Sequence, residues 1–314
     1  MKRMILAAAM LTAFVFTMNA QNNYSRLWSK VKQAEKEGKP QTAAGYLREL
    51  EEKTIKAGDV LEQLVVSENL YDDLRKYNWK EANAYYSTYA TLNRRVLVDS
   101  LDTYIEQYAD HPRIMMLLQK RLRNHKEALD RRWHPVATGA EYLAVRKEAE
   151  ELLRHKRVGS YKESIQSLID AMDSQSLSSS HHETMAPGEA GYVINTRNVK
   201  EVEAKVYRLL DNKLFFEGFK NSNEETLRKN GTLVSTQTVG PMENDYNIRE
   251  ESKTTLTFPE PGVYVVRFAA VPARSGDDNV FYDQVYVSNV VGAVRTREGR
   301  AEVYAADFRT GKPF

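Results

Sequence analysis

The chain has 314 residues, with 45 Lys and Arg against 43 Asp and Glu, a formal charge of +2 and no cysteine. The absence of Cys excludes disulfides, thiolate metal sites and Cys nucleophiles together, and the near-zero charge removes the electrostatic case for nucleic acid. At about 100 to 200 residues per domain the length suits two domains, each large enough for its own core.

Lys2 and Arg3 precede an apolar run from Met4 to Phe16, followed by Met18, Asn19 and Ala20 before Gln21. This is the grammar of a secretory signal peptide over residues 1–20, and the run is shorter than the roughly 20 residues of a membrane-spanning helix. Cleavage takes Lys2 and Arg3 away and brings the formal charge to zero. No later stretch is apolar enough to span a membrane, and no junction Cys is present for acylation. The expectation is an exported chain of the periplasm or cell envelope, with no stable membrane span after cleavage.

Residues 21–172 are written in helical period. Tyr24, Leu27, Trp28, Val31 and Ala34 form one stripe, which stops at Gly38 before Pro40. Ala43, Ala44, Leu47 and Leu50 mark a second helix ending near Gly58. Asp59 with Glu62 then reads as a capping box for a third helix holding Leu61, Leu64 and Val65. A Tyr-rich segment (Tyr85, Tyr86, Tyr89) follows, then helices over Val96–Tyr108, Arg113–Leu129, Glu141–Arg154 and Tyr161–Met172. Helix pairs of this length suggest a bundle or a solenoid of the tetratricopeptide type, although no repeating consensus is present.

The Ser-rich run over 173–189, closed by Pro187-Gly188, reads as the domain linker. Past it the period changes to two. Tyr192–Ile194, Val202 with Ala204 and Val206, Leu256 with Phe258, Val263–Val271 and Val280–Val291 read as strands. Asn230-Gly231 reads as a hairpin turn, Pro261-Gly262 as a tight reversal, and Ser275–Asn279 as a polar tip. The fold class expected is α then β, multidomain: an N-terminal helical repeat or bundle followed by an antiparallel β-sandwich over 190–292.

Candidate chemistry is sparse. His181-His182-Glu183 has metal-ligand residue types, but adjacent side chains diverge and the run is Ser-rich. Asp277-Asp278-Asn279 lacks the spaced oxygen ligands of a calcium loop. His111, His125, His134 and His155 are dispersed, and no G-x-S-x-G, phosphate-binding loop or H-E-x-x-H occurs. Trp79, Tyr85, Tyr86 and Tyr89 offer either a sugar-stacking platform or helix-pair packing, and their spacing favours packing. The expectation is a protein that is not an enzyme, with no catalytic residue, no cofactor and no metal.

The segment Leu256–Tyr264 resembles the corner of immunoglobulin-like modules, where a Gly turn precedes a Tyr that bonds across the sandwich end. The order of parts carries a wider resemblance. A helix opening with Asn23–Trp28 and running to Lys39–Ala43, then Thr196–Val199, Val206–Leu209, Phe258–Phe268 and Tyr286–Asn289, is similar to alpha-2-macroglobulin family proteins of Gram-negative bacteria. Val303-Tyr304, Asp307 and Thr310–Phe314 resemble the opening of a further sandwich, so residues 293–314 are expected to start another β module of a longer protein. The resemblance implies a macroglobulin-like sandwich and peptidase inhibition by the intact protein, with peptidases as partners. The internal Cys-to-Gln thioester of many members is impossible in a chain without Cys. The alternative expectation is an envelope protein- or glycan-binding module on a helical-repeat scaffold.

Overall fold

A computed structural model of the protein describes residues 24–180, 184–211, 223–242, 245–277 and 279–314. The signal-peptide segment and His181-His182-Glu183 lie outside the described residues. The chain divides into two compact units: one runs up to Asn124 and includes Arg154–Tyr161, and the other takes His125–Leu153 and Lys162–Phe314.

The first unit is helical. α1 (24–36), α2 (Pro40–Ala57) and α3 (Val60–Tyr77) follow one another through Gly38 and Gly58, whose φ of 67° and 66° supply the left-handed turn that ends each preceding helix. Tyr24, Leu27, Val31, Ala34, Ala43, Ala44, Leu47 and Leu50 are all buried, in one cluster with Val66, Leu70 and Leu74 of α3. The stripes read from spacing are therefore the core stripes. In α3 the buried valine is Val66 rather than Val65, because α3 packs against α2 on one side and α4 on the other. α4 (Trp79–Arg94) passes through a π-helical turn at Arg95–Asp99 into α5 (Leu101–Gln107), and α6 (Ile114–Asp130) follows. Leu61, Leu64, Leu92, Val96, Ile114 and Leu117 make a second cluster. Among the described residues no helix is long and apolar enough to cross a membrane.

The second unit begins with the end of α6, then α7 (Gly139–Leu153) and α8 (Lys162–Asp173), and continues as an antiparallel β-sandwich. Its strands are β1 (Ser176–Ser180), β2 (Thr184–Met185), β3 (Gly188–Arg197), β4 (Glu201–Leu209), β5 (Gly231–Val239), β6 (Arg249–Phe258), β7 (Gly262–Val271) and β8 (Val280–Val287). One sheet has the order β1-β3-β6 and the other β2-β8-β7-β4-β5, and among the described residues only the short β2–β8 pair is parallel. Tyr192, Ile194, Leu256 and Phe258 from the first sheet meet Val202, Val206, Tyr264, Val266, Phe268 and Val285 from the second. On the opposite face of the larger sheet, Val263 and Val265 pack with Tyr207, Leu209 and Leu227 of α9 (Glu224–Asn230). Both faces of β7 are thus covered, which is why its sequence is almost continuously apolar.

Three expectations are corrected. The Ser-rich run is not a free linker: Ser176–Ser180 pairs with β3 residue for residue from Ser176↔Arg197 to Ser180↔Val193. An edge strand with one face inward needs little apolar content, and Leu177 supplies it. Asn230-Gly231 is not a hairpin turn, since Asn230 ends α9 and Gly231 enters β5 with φ −149°. Residues 292 and 293 do not mark a boundary either, because they lie inside β9 (Val290–Arg297), which pairs along its whole length with β10 (Arg300–Asp307). The hairpin turn there is Glu298-Gly299, with φ of 52° and 75°. β9 and β10 form a separate two-stranded sheet whose Val294, Val303 and Tyr304 are exposed.

Candidate functional site

Among the described residues, no group of three His, Asp or Glu side chains could hold a metal ion. The dispersed histidines do not converge on one site. His125 Nδ1 lies 2.8 Å from Glu148, His155 Nδ1 accepts from the Arg157 amide at 3.1 Å, and His134 is exposed before Pro135. The acidic tip is also put to structural use. Asp277 accepts from the Gln175 amide at 2.9 Å, buried Asn279 bonds to Gln175 at 3.1 Å, and Asp278 lies outside the described residues.

His111 belongs to a polar centre in the helical unit that spacing does not reveal. Asp59 caps α3 by accepting from the Glu62 amide at 3.0 Å. The other half of the box is missing, because the Glu62 carboxylate turns inward to take the Trp28 indole N–H and two bonds from Arg113, at 2.9 and 3.1 Å. Arg113 also lies over the Trp28 ring, 5.6 Å from its centroid. Its amide donates to His111 Nδ1 at 3.1 Å, which leaves Nε2 to carry the proton toward Asp59, 3.4 Å away. For Asp59, burial pushes the pKa up, yet the His111 contact and the Glu62 amide outweigh it and hold the carboxyl below its usual range. Burial, reinforced by the charges of Asp59 and Glu62, pushes the Tyr24 hydroxyl up to about 12. The centre ties α1, α3 and the start of α6 together.

In the second unit a comparable network fastens α8 to the sandwich. Asp173 receives Arg146 at 2.9 and 3.0 Å and the Tyr246 hydroxyl. Asn198, held at φ 55°, donates to the Met172 and Ser174 carbonyls at 2.7 and 3.0 Å and accepts from the Asn247 amide at 2.8 Å. The Gly139 amide donates to Asp245 at 2.6 Å, and a Cβ at position 139 would collide with that carboxylate. At the other end of the sandwich, buried Tyr264 donates its hydroxyl to the Glu260 carbonyl at 2.8 Å. This is the corner that the Gly262 turn and Tyr264 signalled in the sequence.

A charge network lies on the outer face of the larger sheet. Glu224, in the first turn of α9, faces Arg228 at 2.8 Å, Lys205 at 3.1 Å and Arg267 at 3.3 Å, and Glu203 meets Lys205 at 2.9 Å. Burial raises the Glu224 pKa, but the bonds from Arg228 and Lys205 and the charge of Arg267 bring it to about 2. A free glutamate titrates near about 4.3, so its contribution to stability is present above that pH and is lost as pH falls toward 2. Glu224→Gln should therefore be less stable than the parent at pH 7, with the gap shrinking below about pH 4 and mostly gone as pH falls through about 2, as read from urea midpoints. A gap that stays constant with pH would refute the assignment.

The aromatic candidates separate into two groups. Tyr85 is half-buried against the first helical core and donates to Glu51, and Tyr89 stacks on Tyr71 at 5.5 Å with 14° between the planes. Packing accounts for Tyr85 and for the face of Tyr89 that lies on Tyr71, while Tyr89 itself stays half-exposed. Trp79 and Tyr86 are 58% and 51% exposed, and packing does not account for them.

No family model matches the chain and no curated protein matches it. Among solved structures, it is similar to native alpha-2-macroglobulin from Escherichia coli spanning domains MG0-NIE-MG1, at 17% identity and TM-score 0.37, over 45% of this chain and 48% of that one. A fragment spanning NIE-MG1 gives 18% identity and TM-score 0.35, over 45% and 74%. Escherichia coli alpha-2-macroglobulin activated by porcine elastase gives 15% identity and TM-score 0.23, over 43% of this chain and 15% of that one. The chain thus spans about half the length of the first of these structures.

Proposed function

We propose that this chain is the N-terminal part of an exported alpha-2-macroglobulin-like peptidase inhibitor, non-catalytic by itself and resident in the periplasm or cell envelope. The observation that carries the reading is the order of parts: a signal-peptide pattern, a helical unit, then a sandwich with a Gly turn and the Tyr264 corner. That order is the one the sequence resemblance implies. Inhibition in the family is mechanical, by closure around a peptidase that has cut an exposed segment. These 314 residues contain no Cys and so supply no thioester themselves; the enclosing role is what the resemblance implies for the intact protein.

The test is to read the DNA past the Phe314 codon in all three frames and to assay both products against an elastase. Macroglobulin modules downstream, with the longer product shielding a large protein substrate but not a small chromogenic peptide, would support the proposal. The present chain alone should shield neither. Unrelated downstream sequence, or a longer product that blocks the small peptide equally, would overturn it.

A further inference from the structure

Tyr71 and Arg75 stand one turn apart on α3, and Trp79 opens α4 just past the non-helical Asn78. The Arg75 guanidinium lies 5.7 Å from the Tyr71 ring centroid and 5.6 Å from that of Trp79. The strip continues along α4, where Tyr86 and Tyr89 stand 5.4 and 5.5 Å from Tyr71. Tyr71 and Trp79 thus share a cation, while among the described residues none lies over Tyr86 or Tyr89.

On the same side of α3, Glu68 and Asp72 are exposed carboxylates one helical turn apart, and like charges at that spacing repel. Neither has a hydrogen bond or ion pair among the described residues. Their spacing from Tyr71 on α3 sets them beside the rings that Tyr71 touches; burial first, and then their charges, hold the Tyr89 hydroxyl above its usual range. Lys76, one turn from Asp72, is already paired with Asp73 at 2.6 Å, so Glu68 and Asp72 face Arg75 as the remaining cation and the strip keeps a net negative charge next to the exposed Tyr86 ring. The complement of that surface is a second cation.

We propose that this strip docks a protein partner through an arginine or lysine side chain seated over Tyr86 and Tyr89 and paired with Glu68 and Asp72. The contact would repeat beside them what Arg75 already does over Tyr71 and Trp79. Trp, Tyr and Arg are also the residues that dominate binding energy at protein interfaces. A sugar would stack on the rings but would leave the two carboxylates repelling each other, so a basic partner fits the observations better. The proposal is independent of the inhibitor reading and stands or falls without it.

The experiment titrates the full chain with the peptide acetyl-(Gly-Arg)3-amide in 0.15 M salt, reading the ring resonances of Tyr86 and Tyr89 by NMR. Saturable shifts at both rings are expected, with acetyl-(Gly-Glu)3-amide and cellohexaose giving none. Glu68→Gln with Asp72→Asn, and separately Tyr86→Ala, should each weaken the arginine peptide about five-fold. All three side chains are on the surface, so an unchanged circular dichroism spectrum would confirm folding. No saturable shift, equal affinity in the variants, or shifts with cellohexaose alone would each overturn the proposal, the last in favour of a glycan.

Discussion

Phe268→Ala should destabilise the sandwich by about 3–5 kcal/mol, the usual loss for truncating a buried Phe. Phe268 is fully buried on β7, the strand flanked by β4 and β8 in the larger sheet. Its ring sits 5.6 Å from Tyr192 across the sandwich, and Tyr192 in turn lies 6.3 Å from Phe258. Neighbours on two sheets are tied into their own hydrogen-bond ladders, so they have little freedom to close the cavity and the cost falls toward the upper end. Tyr264→Phe provides the contrast, because it keeps the ring and its edge-on contact with Phe258 at 5.2 Å but loses the bond to Glu260. Its cost should be about 1 kcal/mol. Amide hydrogen exchange on β4 and β7 reads both effects within this unit without assuming that the whole chain unfolds in one step. A loss below about 1 kcal/mol for Phe268→Ala would show that the two sheets are not packed through this residue.

How much of this was legible follows from what each period encodes. Helices with one buried stripe write their core into the sequence, and Tyr24, Leu27, Val31, Ala34, Ala43, Ala44, Leu47 and Leu50 are buried as their spacing implies. β7 is legible because it is covered on both faces, and the Tyr264 corner because its turn is a local signal. β1 and β5 are not. They are edge strands, β1 contributes only Leu177 to the core, and β5 is largely exposed along Thr232-Leu233 and Gln237-Thr238. What defines these strands is the neighbour they pair with, and that information lies in β3 and β4. The polar centre was hidden for a similar reason. Glu62 reads as a cap from its distance to Asp59, whereas its side-chain partners Trp28 and Arg113 lie 34 and 51 residues away. The exposed aromatic strip is half legible: Trp79, Tyr86 and Tyr89 stand out by residue type, but Tyr71 does not, and that Arg75 lies over Tyr71 and Trp79 depends on how the side chains are oriented.

Arg113→Ala tests that hidden centre. The Glu62 side chain is 7% exposed, and removing Arg113 takes away its only ion-pair partner among the described residues, leaving the Trp28 indole as its side-chain donor. Breaking a buried pair from one side costs about 3–5 kcal/mol. Arg113 is itself 36% exposed, so water reaches the vacated space and the loss should sit near the lower bound, about 3 kcal/mol. Glu62→Gln is expected to be milder, because the amide oxygen still accepts from Trp28 while Arg113 can turn its charge outward to solvent. The double variant decides between charge and packing. If the cost of Arg113→Ala comes from stranding a carboxylate, adding Glu62→Gln should recover about half of it, with a coupling above about 1 kcal/mol. If the cost comes instead from the arginine stem packing on Trp28, the two losses should add. Urea unfolding followed at 222 nm for the helical signal measures all three variants, and simple additivity would remove the ion pair as the reason α1, α3 and α6 are held together here.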